Sequence, residues 1–129
     1  MKIITALATD DGITTNNRHF GDADYYFIYE ITEDGYHFIK KIGNSTDVEG
    51  ETHADPRKAK NVTEMLSAEK VNTAVARVFG PNLKRIKSKF VCILAKDDEI
   101  TEILQKLILN RDSVETEWEK GTDRSFLRI

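Results

Sequence analysis

Apolar runs separated by turn residues predict three strands in the first third of the chain. Residues 2–9 are mostly apolar and end at Asp10-Asp11-Gly12, as expected for a buried strand followed by a turn. Residues 25–31 and 36–42 are rich in aromatic and β-branched side chains, which favour strands. The Asp34-Gly35 pair between them suits the tight turn of a hairpin. The three strands therefore predict an antiparallel meander.

The middle of the chain predicts a loop and then helices that alternate with strands. Residues 43–55 contain two glycines and no periodic apolar pattern, which indicates a long loop. Asp55 and Pro56 then suit the N-cap and the first residue of a helix. A strand is then predicted over residues 71–79, a short helix from residue 81, and a second strand over residues 90–95.

The last strong pattern is an amphipathic helix after Asp97 and Asp98, which are predicted to cap it. Its apolar stripe consists of Ile100, Ile103, Leu104, Leu107 and Ile108. Residues 110–129 carry scattered apolar side chains, so we predict that they pack as a short helix and strand or dock on another subunit. The chain is accordingly divided into a domain over residues 1–109 and a C-terminal tail over residues 110–129.

The predicted order of elements, βββαβαβα, indicates an α/β fold. Helical crossovers between the later strands require parallel pairing and right-handed connections. The simplest arrangement is a five-stranded mixed sheet in the order 3-2-1-4-5, with helices on both faces. This is the outline of a ribonuclease-H-like three-layer domain.

This topology predicts where a ligand binds. In open α/β sheets, ligands lie beyond the carboxyl ends of parallel strands, where the strand order reverses. Here that point lies between the first and fourth strands, and the second and third strands bring two more loops to the same end. The four converging segments are Asp10-Asp11-Gly12, His19-Phe20-Gly21, the loop with Glu51 and His53, and Gly80-Pro81-Asn82.

Composition narrows the class of protein. The 129 residues, 40% hydrophobic and 32% charged, suit one globular core, and the net charge of −3 argues against a general nucleic-acid binder. No apolar run approaches the roughly 18 residues of a membrane span, and the N-terminus has no signal-peptide layout, so we expect a cytoplasmic protein. The single cysteine, Cys92, excludes an internal disulfide and a one-chain four-cysteine metal site, and its strand predicts a core position.

Two of the three histidines are candidate metal ligands, and each has a plainer alternative. His19 could bind a metal beside a glycine that admits close approach, or could simply hydrogen-bond to the backbone. His53 could be a second ligand, or could be solvated ahead of a helix cap. Asp10 and Asp11 could hold a hard cation, although turn residues are the commoner reading. His37 lies mid-strand on a face expected to be exposed and is excluded.

The Gly80-Pro81-Asn82 segment opens a helix, and free amides at a helix start favour an anion. No nucleophile elbow, phosphate-binding loop, dinucleotide-binding glycine pattern or zinc-protease motif occurs in the sequence. We therefore expect a binding site rather than a catalytic one, with no enzyme activity.

Four segments, in register from Met1 to about Ile108, resemble the dinitrogenase iron–molybdenum cofactor-binding (cofactor biosynthesis) family. They are Ala8-Thr9-Asp10-Asp11-Gly12, His19-Phe20-Gly21 with the strand after it, residues 53–60, and Phe79-Gly80-Pro81-Asn82-Leu83. The resemblance implies a ribonuclease-H-like domain without nuclease activity, of a kind that binds or carries iron–molybdenum cofactor or its iron–sulfur precursors. By position, His19 matches the histidine of the family's HFG-like motif, and Gly80, Pro81 and Asn82 match its GPN loop.

The predicted function is a non-enzymatic carrier of a transiently bound iron–sulfur or iron–molybdenum-type cluster, with a protein partner for its transfer. The candidate binding residues are His19, Phe20, Gly21, Gly80, Pro81, Asn82, Asp10 and Gly12, with His19 and His53 as metal ligands and the amides of residues 80–83 facing the cluster. The alternative is a small regulatory or anion-binding module without metal, acting through a protein partner. We do not favour a third reading, a hydrolase using Asp10, Asp11 and Asp55, because the later strands offer no inward carboxylate. Either a monomer or a homodimer fits the sequence.

Overall fold

The computed structural model describes residues 1–44 and 56–129, with the side chains of residues 56–61 left undescribed. In these two ranges the strands are β1 (Ile3–Thr9), β2 (Tyr25–Thr32), β3 (Gly35–Gly43), β4 (Thr73–Ala76), β5 (Val91–Leu94) and β6 (Phe126–Arg128). The α-helices are α1 (Pro56–Ala68), α2 (Leu83–Lys87), α3 (Ile100–Leu109) and α4 (Arg111–Glu119).

The six strands form one mixed sheet in the order β3-β2-β1-β4-β5-β6. The meander β1-β2-β3 is antiparallel, whereas β1, β4, β5 and β6 are mutually parallel. The order predicted for the first five strands is confirmed. The prediction of a five-stranded sheet is wrong, because the three-residue β6 is too short to produce a recognisable apolar pattern.

Helices cover both faces of the sheet, as predicted, and the alternation of strand side chains builds a core on each face. On one face the fully buried Leu66 of α1 and Ile86 of α2 pack with Tyr26 and Phe90. On the other, Leu104 of α3 and Val114 of α4 belong to a second buried cluster. All seven residues of β1 are buried, since this central strand contributes to both clusters. Burying one such large apolar side chain contributes about 1.5–3 kcal/mol.

The start of α3 differs from the prediction. Its N-cap residue is Glu99, and no side chain makes a cap hydrogen bond there. Asp97 instead forms an ion pair with Lys106, and Asp98 forms one with Arg77 at 2.8 Å. The prediction that Asp97 and Asp98 cap the helix is therefore wrong, because nearby cations bind both carboxylates.

The C-terminal segment packs against the sheet as a helix and a strand. Val114 is fully buried in α4, and the partly buried Trp118, Leu127 and Ile129 extend the same apolar cluster. Arg124 fastens the turn between α4 and β6: its guanidinium donates hydrogen bonds to the carbonyls of Trp118 and Ser88.

The strands β4 and β5 are shorter than predicted. β4 ends at Ala76, and β5 ends at Leu94. The helix expected from Pro81 begins as a 3-10 turn over Gly80–Asn82, and α2 follows it. Residues 45–55, which include Glu51, His53 and Asp55, lie outside the described residues. No helix in the described ranges is both long enough and apolar enough to span a membrane.

Candidate functional site

The imidazole of His19 packs directly on the backbone of Gly80, at the ends of the two parallel strands where the sheet order reverses. A Cβ added to Gly80 would lie 2.5 Å from His19 Nδ1 and 2.6 Å from its Cγ. Gly80 also has a φ of +79°, which disfavours any side chain. A backbone bridge between His19 and Val78 holds the two segments side by side. Sequence-distant loops thus meet at the place that the topology predicts.

One nitrogen of the His19 ring is enclosed by the fold. Nδ1 is buried, and its nearest carboxylate oxygen is Oδ2 of Asp22, 3.9 Å away. The His19 side chain is 32% exposed whereas that of Asp22 is only 5% exposed. At 3.9 Å the two groups are not hydrogen-bonded to each other, so Asp22 lies beside the ring without fixing its tautomer.

The two residues after His19 have different surroundings. Phe20 is fully buried and stacks on Phe79 with ring centroids 5.3 Å apart, so its side chain belongs to the core. Its carbonyl accepts a 2.6 Å hydrogen bond from the buried hydroxyl of Tyr26. Gly21 has open space where a Cβ would be. Phe20 therefore anchors the histidine loop from below, while Gly21 leaves the space beside it open.

Asp10 is tied into a polar cluster with Arg18. Its Oδ1 accepts hydrogen bonds from Arg18 Nη2, from Asn16 Nδ2 at 2.9 Å and from the backbone N–H of Asp24 at 3.1 Å. Burial opposes ionisation of Asp10, but the hydrogen bonds from Asp24, Arg18 and Asn16 outweigh it and lower the pKa. Since Arg18 also donates to Asp24 at 2.9 Å, the cluster stabilises the loop that carries His19.

Asp11 and Gly12 shape the preceding turn. The Asp11 carboxylate accepts hydrogen bonds from the backbone N–H groups of Thr14 and Ile13, both at 2.8 Å, and these lower its pKa to about 2. Gly12, with a φ of +78°, leaves no room for a Cβ because the ring of Phe27 lies against it. The structure thus places Gly12 on Phe27 and not beside His19.

The GPN turn offers fewer amides than the sequence suggests. Pro81 has no N–H, and the N–H of Leu83 donates to the carbonyl of Gly80 within the turn. The expectation that the amides of residues 80–83 jointly face a ligand is therefore wrong at two of its four positions. Positive charge near the turn comes instead from the side chains of Lys84 and Arg85.

Two pockets flank the contact between His19 and Gly80. One, of about 210 Å³, is lined by Asn17, Arg18, His19 and Asp22. The other, of about 420 Å³, is lined by Pro81, Asn82, Lys84 and Arg85. The described lining of the larger pocket has two cations and no carboxylate, which suits an anionic ligand. In the smaller pocket, Arg18 is paired with Asp10 and Asp24, and Asp22 adds a further carboxylate.

Of the predicted site residues, the structure brings His19 and Gly80 into contact, with Pro81 and Asn82 in the same turn. Asp10 belongs to the Arg18 cluster of the same loop, and His53 lies outside the described residues. Sequence reasoning missed Arg18 and Asp22. The spacing of Asp22, three residues after His19, was the available signal, since one helical turn brings such positions together.

The described residues contain no group of three or more His, Cys, Asp or Glu side chains that could hold a metal ion. Cys92 is buried in β5, as predicted, and burial raises the pKa of its thiol to about 12. Asp10 and Asp11 already accept several hydrogen bonds each, which argues against a catalytic cation at this turn.

Comparison with a family model identifies the family of this chain. A family model described as Dinitrogenase iron-molybdenum cofactor matches residues 1–110. The fold is similar to the crystal structure of a Methanocaldococcus jannaschii protein described as a candidate dinitrogenase, with a TM-score of 0.59 and 19% sequence identity over 85% of this chain and 91% of that one. The search of curated proteins found no match.

Proposed function

Because this chain belongs to the dinitrogenase iron–molybdenum cofactor family, we propose that it is a non-enzymatic binding or carrier protein for a preformed metallocluster. The cargo is an iron–sulfur or iron–molybdenum-type cluster that is bound transiently. The observation that carries the proposal is the contact between His19 and Gly80, which fixes an imidazole at the topological reversal point of the sheet.

In this proposal, His19 Nε2 is the protein ligand to the cluster. Gly80 leaves room for the ring, which makes it a positioning residue, and the buried Asp22 lies 3.9 Å from Nδ1 on the inner side of the ring. The cations that follow Gly80 complement the negative charge of a sulfide-rich cluster, whereas Arg18 is paired with Asp10 and Asp24 and holds the histidine loop. His53 remains a proposed second ligand on the basis of the sequence.

Attachment through so few ligands suits a carrier. A resident iron–sulfur cluster is usually held by four thiolates, whereas the single thiol of this chain is buried in the sheet. One or two imidazoles would hold a finished cluster loosely enough for it to pass to a partner protein. The proposal also includes a cytoplasmic location and a ribonuclease-H-like classification, which the strand order supports.

The test compares cluster binding by two histidine variants under anaerobic conditions. The metal-free protein would be incubated with iron, sulfide and molybdate, desalted, and analysed for bound metal and visible absorption. We expect His19→Ala to lose the cluster and its charge-transfer band with little change in stability. His37→Ala is the matched control, because His37 is exposed on β3 and lies outside the loops that carry His19 and Gly80. Equal binding by His19→Ala and the wild type would remove His19 from the site.

The second candidate function is a regulatory or anion-binding module without metal. It is favoured by the larger pocket, where Lys84 and Arg85 stand beside Pro81 and Asn82 without any histidine. It predicts metal-free protein after anaerobic purification and thermal stabilisation by an anion. A thermal-shift screen of anions, repeated with Lys84→Ala and His19→Ala, separates the two functions, because only the carrier requires the imidazole.

A further inference from the structure

The charge of the chain is strongly uneven. Between Lys70 and Lys96 the sequence has seven Lys and Arg residues and no Asp or Glu. All 22 acidic residues lie outside this stretch, together with 12 of the 19 basic ones. A protein whose net charge is negative therefore contains a long stretch whose only charges are positive, and that stretch includes the GPN turn.

Four of these cations surround α2, at Lys84, Arg85, Lys87 and Lys89. Ile86 is buried and fixes the inner side of the helix, whereas Lys84, Arg85 and Lys89 are exposed. In the described parts of the chain, no carboxylate lies within 4.0 Å of any of the four cationic groups. By contrast, Lys40, Arg77 and Lys106 each have an acidic partner.

We propose that these four side chains, the α2 basic face, form a docking surface for an acidic surface of a protein partner. Unpaired cations concentrated on one face attract a partner of opposite charge and orient it during encounter. The face begins four residues after Gly80, whose backbone contacts the His19 ring, so a docked protein lies on the turn that adjoins the candidate site. This location gives the proposed carrier a route for handing on its cluster, and in that respect the inference rests on the proposed function.

The remaining charges favour a protein over other polyanions. The acidic remainder of the chain would repel a long nucleic acid, which extends well beyond four side chains. A small anion in the pocket beside the turn would meet only Lys84 and Arg85, whereas the face extends to Lys87 and Lys89. An acidic protein patch of similar size matches both the charge and the extent of the face.

The test uses the full-length, metal-free protein and measures binding of poly-L-glutamate, a single-stranded oligonucleotide and inorganic phosphate at low and physiological salt. We expect poly-L-glutamate to bind, and to bind about tenfold more weakly to the Lys84→Glu/Arg85→Glu variant, because two attractions become repulsions. The control Lys96→Glu/Arg128→Glu has the same net charge and alters cations on the β5-β6 side of the sheet. It should bind within about twofold of the wild type.

Several results would overturn the docking surface. These are tighter binding of the oligonucleotide than of poly-L-glutamate, an equal loss in both double variants, saturation by inorganic phosphate alone, or self-association that the Lys84→Glu/Arg85→Glu variant abolishes. The His19→Ala variant separates this inference from the carrier function. It should bind poly-L-glutamate normally while losing the cluster, so either proposal can fail while the other holds.

Discussion

Gly80 is the residue on which the geometry of the candidate site depends most directly. It combines a positive φ with the absence of a side chain, and both are needed for the His19 ring to lie against the turn. The histidine is thus positioned mainly by packing, with Asp22 near its buried nitrogen. Because packing sets the position of the His19 ring, that position can be tested without any bound cluster.

We expect Gly80→Ala to displace the His19 ring and to lower the free energy of unfolding by about 1–3 kcal/mol, because the methyl group meets the imidazole at a strained φ. Urea unfolding measures the stability, and the NMR signals of the imidazole report the ring position. Gly21→Ala is the control, since nothing lies within 4 Å of its added Cβ. If Gly80→Ala and Gly21→Ala had the same free energy of unfolding and the imidazole did not move, the packing argument would be contradicted.

Asp11 predicts a pH dependence of stability. Hydrogen bonds from Thr14 and Ile13 lower the pKa of its carboxyl from 3.8 to about 2 in the folded protein. The ionised group therefore stabilises the fold above pH 4, and this contribution is lost as the pH falls through 2. Urea unfolding of the wild type and Asp11→Asn should show a stability difference at neutral pH that shrinks between pH 4 and pH 2. A difference that stays constant with pH would exclude the carboxylate as its source.

The sequence was informative about the location of the site because strand order alone determines which loops meet. It placed His19 and Gly80 together without any side-chain information. It could not show that Phe20 faces the core, because one residue in a short loop has no periodicity to reveal its direction. The pairing of Arg18 with Asp10 and Asp24 was also invisible, since it depends on how the loop closes.

At the scale of secondary-structure elements, Arg124 links the C-terminal strand to the rest of the fold. Its guanidinium donates to the Trp118 carbonyl at 2.9 Å and 3.1 Å and to the Ser88 carbonyl at 3.1 Å, and it stacks 4.1 Å from the Trp118 ring. Glu117 completes the junction by accepting a hydrogen bond from the N–H of Ser125 at 3.0 Å. One side chain thus joins α4, the turn before β6 and the loop after α2.

We expect Arg124→Ala to lower the free energy of unfolding by about 2–3 kcal/mol, because partly buried carbonyls lose their donors. Trp118 is the only tryptophan, so its fluorescence reports release of the junction directly. Arg124→Lys retains the charge but not the planar group, and should recover only part of the stability. Arg128→Ala is the control, since Arg128 is exposed and its ring contact within the described residues is with Phe126. A larger loss for Arg128→Ala than for Arg124→Ala would contradict this role.

Elements with a clear apolar pattern were predictable, and those without one were not. The α3 helix has a periodic apolar stripe, and β5 is a continuous apolar run buried on both faces of the sheet, so both are visible in the sequence. The three residues of β6 form a strand because β5 offers a free parallel edge, which is a tertiary cause. The prediction that Asp97 and Asp98 cap α3 is wrong for a similar reason, because cations elsewhere in the fold bind both carboxylates.

At the scale of the whole molecule, the apolar core extends past the part of the chain that the family match covers. The match ends at residue 110, yet Val114 is fully buried and Trp118, Leu127 and Ile129 pack on the α3 face of the sheet. Without α4 and β6, this cluster would be exposed and β5, whose sequence is Val-Cys-Ile-Leu, would become an edge strand. Exposed apolar edges are where sheets associate with one another.

We therefore expect a chain that ends at Asn110 to have a lower thermal midpoint and to aggregate with increasing concentration, as measured by thermal unfolding and light scattering. A second truncation after Ser125 removes β6 but keeps α4, and so separates loss of the sheet edge from loss of the helix cover. It should associate while remaining closer to the full chain in stability, because Val114 stays buried. If the chain ending at Asn110 were monomeric and as stable as the full protein, α4 and β6 would be additions to a core that is complete without them.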